Sequence, residues 1–79
     1  MTTPKLTPEA MRAARGILGW TQADVVTAAQ VSPNTVAKIE AGGVVRGETS
    51  AKIVTAFAAH GVEILNGDAP GARMRKAGA

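Results

Sequence analysis

The sequence predicts a mainly α fold: four short helices packed as one bundle and closed by a short C-terminal β-hairpin. Three observations carry that prediction. The chain has 79 residues, 46% of them hydrophobic, which is enough apolar material for one core and no more. Sixteen of those hydrophobic residues are Ala and only 3% of the chain is aromatic, so the core must be built from elements that approach closely. Finally, a hydroxyl residue followed by a proline or an acid, the mark of a helix start, occurs at Thr7, Thr21 and Ser32.

The first helix is expected from about Pro8 to Leu18. Thr7 supplies the cap, Pro8 needs no hydrogen-bond partner at the first helical position, and Glu9 meets the positive end of the helix dipole. Met11, Ala14 and Leu18 then share one face, and Gly19 ends the run. Thr21 and Asp24 form a capping-box-like pair that opens a second helix to about Gln30, with Val25, Ala29 and Val26 as its inner stripe. Val31-Ser32-Pro33 breaks the chain and starts a third helix to about Ala41. Val36 and Ile39 face inward, whereas Asn34, Thr35 and Lys38 do not. Gly42-Gly43 stops this helix by adopting left-handed conformations.

A fourth amphipathic segment, about Glu48 to His60, aligns Ile53, Ala56, Phe57 and His60, with Gly61 as its cap. The period then changes. Val62 to Leu65 and Ala72 to Lys76 alternate around the turn-rich stretch Asn66 to Gly71, which reads as a β-hairpin. Residues 1–61 therefore form the helical unit, and residues 62–79 a hairpin with a basic tail in the same domain.

The formal net charge is +3. Residues 1–70 hold six bases and six acids, so the excess belongs to Arg73, Arg75 and Lys76. Those three are open to two readings: a grip on phosphates, or charges on an edge strand that discourage aggregation. With one His, no Cys and no Tyr, the chain offers neither a nucleophile–base pair nor a set of metal ligands. No enzymatic activity, cofactor or metal is expected. Neither a secretory signal nor a run of ~18 apolar residues is present, so a cytoplasmic protein without a membrane anchor is expected.

The second and third helices, joined by a short break and sharing Val25, Ala29, Val31, Val36 and Ile39, have the spacing of a helix-turn-helix. Over about Leu6 to His60 the chain resembles the lambda-repressor-like family, also called the Cro/cI or XRE family. The resemblance is densest in Leu18-Gly19-Trp20-Thr21-Gln22-Ala23-Asp24 and in Val31 to Gly42, where Val-Ser-Pro makes the turn and Ile-Glu-x-Gly closes the helix. Two positions depart from the family pattern. Gln30 stands where a glycine usually turns the chain, which predicts a positive φ at a non-glycine residue. Val26 replaces the usual Ala where the helices cross.

The resemblance implies that the third helix enters the major groove of double-stranded DNA. Asn34 suits adenine, Lys38 suits guanine, and Pro33 and the Thr35 methyl suit thymine. Gln22 and Ser32, at helix N-termini, and Arg46, beyond the glycine turn, are placed for phosphates. The family also implies an ion pair between Arg15 and Glu40. Trp20 is read as a packing residue and His60 as a helix-end residue.

The function expected is that of a sequence-specific transcriptional regulator, a repressor that binds a two-fold operator as a homodimer. Val62, Ile64 and Met74 are the expected contact with the second copy, or else packing beneath the fourth helix. The rival is a protein-binding module, an antitoxin or antiactivator with a regulatory protein partner, on the same scaffold. Lys38 and uncharged polar groups on the outer side of the third helix favour DNA.

Overall fold

The first helix, α1 (Pro8–Leu18), starts where Thr7 accepts a hydrogen bond from the Ala10 amide at 3.0 Å, and it ends at Gly19 with φ 68°. These come from a computed structural model, which describes residues 6–65 and 70–75. The expected turn residues 66–69, Lys76 and both chain ends lie outside the described residues.

The second helix, α2 (Gln22–Ala29), carries a complete capping box: Asp24 N–H donates to the Thr21 hydroxyl, and Thr21 N–H donates to the Asp24 carboxylate. It ends in Gln30 at φ 57°, ψ 50°, a left-handed non-glycine residue as the sequence requires. Ser32 caps α3 (Pro33–Glu40), which stops one residue earlier than expected, with Ala41 as its C-terminal cap. Helix α4 (Gly47–Ala59) begins one residue before the expected Glu48, after Arg46, and has no side-chain cap. Among the described residues, no helix is long and apolar enough to cross a membrane.

An antiparallel pair follows, β1 (Val62–Leu65) and β2 (Gly71–Met74), in the register Val62 to Met74 and Glu63 to Arg73. The second strand is displaced toward the turn relative to the expected Ala72–Lys76. Arg75 N–H still reaches back to the Gly61 carbonyl at 2.7 Å.

The core is single. Leu6, Ala10, Met11 and Ala14 from the first helix and its approach meet Val25 and Ala29, Val36 and Ile39, Ile53 and Phe57, and Val62 of the hairpin. Both strands pack on α1, and β1 also packs on α4. The hairpin thus completes the core, and of the two roles expected for Val62 the structure shows packing: the residue is 1% exposed, on a strand that lies against α4. A side chain enclosed by its own fold offers no surface to a second copy. Trp20 packs as expected, stacked on Phe57 with ring centres 5.6 Å apart. His60 departs from the inner stripe of α4: it is exposed and lies edge-on to Trp20 at 4.7 Å.

Candidate nucleic-acid interface

Helix α3 is short enough that its two ends decide where its outer face points. At the N-terminus, Thr35 N–H donates to the Ser32 hydroxyl at 3.1 Å, and the Ser32 and Thr35 hydroxyls are 2.8 Å apart. Both hydroxyls are engaged within the first turn, which fixes its geometry. Val36 and Ile39 are fully buried and hold the helix against α1 and α2. The helical period then turns Asn34, Ala37, Lys38 and Ala41 the other way, and all four are exposed, as is Pro33.

At the other end, the Glu40 carboxylate gathers side chains from two more elements. Arg15 of α1 binds it through two nitrogens, at 2.7 and 2.8 Å, and also donates to the Trp20 carbonyl at 3.2 Å. Gln22 of α2 donates to the same carboxylate at 3.2 Å. Arg12, one turn before Arg15, donates to the Glu40 backbone carbonyl at 2.8 Å. Burial pushes the Glu40 carboxyl up, but the hydrogen bonds from Arg15 and Gln22 and the Arg15 and Arg12 charges outweigh it, so it is held below its ordinary value. The hydrogen bond to Glu40 raises the Arg15 guanidinium above its own, against the effect of burial. The pair therefore stays ionised at neutral pH, and α3 is tied to α1 and α2 at its last residue.

Between the helices, Gln30 N–H and Val31 N–H both donate to the Val26 carbonyl, and the left-handed Gln30 swings the chain from α2 into the Ser32 cap. Two capped helices, a sharp turn and an exposed second helix are the parts of a helix-turn-helix. A helix-turn-helix family model matches residues 11–64, from α1 into β1.

The chain belongs to the lambda-repressor-like helix-turn-helix family.

No curated protein matches the sequence. Membership in this helix-turn-helix family gives the chain a DNA-binding function of the transcription-regulator type, with double-stranded DNA as its partner. The site residues expected from the sequence are distributed unevenly over the helix-turn-helix. Pro33, Asn34 and Lys38 lie together on its outer face, with Ser32 exposed at one end and Thr35 half-buried beside it. Gln22 is exposed but tethered: a carboxylate has no proton to donate, so the amide nitrogen must face Glu40, leaving the amide oxygen and one N–H for other partners. Arg46 stands apart at the start of α4, its side chain 85% exposed and only loosely paired with Glu48 at 3.7 Å. Ile64 is half-buried and Met74 is 58% exposed, so they remain at the surface where Val62 does not.

Sequence reasoning missed two residues. Arg12 anchors the end of α3, and its spacing of three from Arg15 on one helix face was the available signal. Gly43 is not left-handed, contrary to expectation; of the glycine pair, only Gly42 is.

Proposed function

We propose that the protein represses transcription by occupying a two-fold symmetric operator as a homodimer, with α3 of each copy in successive major grooves. The outer face of α3 carries this reading: Asn34 and Lys38, one turn apart and exposed, present an amide and an ammonium to the same side. Asn34 pairs with adenine and Lys38 with guanine, while Pro33 and the Thr35 methyl meet thymine. Gln22, Ser32 and Arg46 contact phosphates and set the register. The function is binding without catalysis.

A core with balanced charge gains little from counterion release, so one copy binds weakly and two are needed. Equivalent helices in such a dimer lie ~34 Å apart, one turn of DNA. The described chain measures 34 × 26 × 19 Å along its principal axes, a size that suits two abutting copies at that spacing. Ile64 and Met74 at the rim of the hairpin supply the apolar contact.

The test is Lys38→Glu. Duplexes selected by the wild-type chain from a random pool are expected to carry inverted half-sites, and the folded variant is expected to lose binding to them by at least about tenfold in a gel-shift titration. A variant that folds and binds as tightly as wild type removes α3 from the groove.

A further inference from the structure

The turn that ends α3 contains two glycines, and backbone conformation requires only one. Gly42 has φ +90°, a region that side chains resist. Gly43 does not. The hydrogen bonds are those of a Schellman cap: Gly42 N–H donates to the Ile39 carbonyl at 3.0 Å, and Gly43 N–H to the Lys38 carbonyl at 2.8 Å. Such caps frequently place an apolar side chain from the position of Gly43 against the residue at the position of Lys38. Here that side chain is missing and the lysine stem fills the space. A Cβ at Gly43 would lie 2.6 Å from Lys38 Cγ, 3.1 Å from the Lys38 carbonyl oxygen and 3.2 Å from Lys38 Cε, well inside contact distance. The lysine methylenes therefore run along bare backbone while the residue as a whole stays exposed.

We infer that Gly43 is a positioning residue for DNA recognition: its lack of a side chain leaves the track along which Lys38 is aimed at the groove. The inference rests on the reading of Lys38 as a DNA contact. A lysine laid along a surface has fewer rotamers to give up when it binds than one waving in solvent. Any side chain at position 43 lifts the stem at Cγ and redirects the ammonium beyond it.

Gly43→Ala tests this effect, because the φ at position 43 accepts alanine and the methyl meets the Lys38 stem before it meets the Lys38 carbonyl oxygen. Wild type, Lys38→Ala, Gly43→Ala and the double variant are titrated by fluorescence anisotropy against duplexes that the wild-type chain selects from a random pool, and their melting temperatures are measured alongside. Lys38→Ala is expected to weaken binding about tenfold, and Gly43→Ala about fivefold. The double variant should bind like Lys38→Ala to within about twofold, since there is no longer a lysine to misdirect. It should melt close to Lys38→Ala, since the φ at position 43 is permissive and only the Lys38 carbonyl oxygen is left close to the methyl.

If Gly43→Ala binds like wild type or tighter while Lys38→Ala is impaired, the inference is overturned and the reading of Lys38 stands. Additive losses in the double variant also overturn it, because Gly43 would then act on the fold and not through the lysine. If Lys38→Ala binds like wild type, the reading of Lys38 fails first and the inference falls with it.

Discussion

Two arginine–glutamate pairs, Arg15 with Glu40 and Arg73 with Glu63, close at 2.7 and 2.8 Å. By distance they are equals, but their surroundings differ. The side chains of the first pair are 22% and 9% exposed, those of the second 64% and 40%. Glu40 is bound by two Arg15 nitrogens and by Gln22, and so ties together three helices; Glu63 receives one bond from the residue directly across the hairpin. What separates a structural tie from a surface ornament is thus the number of partners and the water excluded, not the length of the bond.

The largest effect expected from this difference is that of Glu40→Ala. It leaves the half-buried Arg15 guanidinium without its partner and frees Gln22, while the Arg12 bond to the backbone carbonyl survives. A loss of about 2 to 3 kcal/mol is expected in urea denaturation, below the ~3 to 5 of a fully buried pair because Arg15 keeps some contact with water. Adding Arg15→Ala to Glu40→Ala should cost less than the sum of the two, since the uncompensated charge goes with it. Strict additivity would break the comparison, making Glu40 no more coupled than a surface acid.

Acid titration sharpens it next. The folded state holds the Glu40 carboxyl below its ordinary value, so between the folded and unfolded values the unfolded chain binds more protons and stability rises with pH. The contribution is fully present above the ordinary glutamate value of ~4.3 and is lost as pH falls through the lower, folded one. Glu40→Gln is therefore expected to flatten the acid limb of a melting-temperature curve. The Arg73 hydrogen bond, helped by the Arg73 and Arg75 charges, also lowers Glu63, but in open solvent. Glu63→Gln should leave the limb close to wild type, and equal flattening by both variants would erase the distinction.

The two regions also differ in how much of them could be read from residues alone. Caps are local: Thr7, the Thr21–Asp24 box and Ser32–Pro33 announce their helices because donor and acceptor lie within three residues. The left-handed Gln30 was legible because the family pattern calls for a turn there. The outer face of α3 follows from the period of Val36 and Ile39. Long-range ties were not legible in this way. Nothing in the order of residues says that Gln22 meets Glu40 or that Gly43 lies under Lys38, and the Arg12–Arg15 spacing puts two guanidiniums on one face without saying that Arg12 reaches a backbone carbonyl 28 residues on. Nor did alternation alone reveal that Val62 belongs to the core while Met74, its cross-strand neighbour, stays exposed. That division depends on how the hairpin tilts onto α1 and α4.

The smallest expected effect is that of Glu63→Ala, which should leave stability in urea denaturation close to wild type, as an exposed pair gains little over two hydrated ions. Its value lies in the two readings of the basic hairpin. In the folded chain the Arg73 guanidinium is already engaged by Glu63, so a phosphate must compete with that carboxylate. Removing it releases one cation and deletes one negative charge beside the expected DNA contact. If Arg73 and Arg75 meet phosphates, the slope of log affinity against log salt should steepen by up to about one contact's worth. If they only keep the edge of β2 from pairing with other chains, the slope stays where it was and the added net positive charge at the hairpin instead raises solubility at low salt.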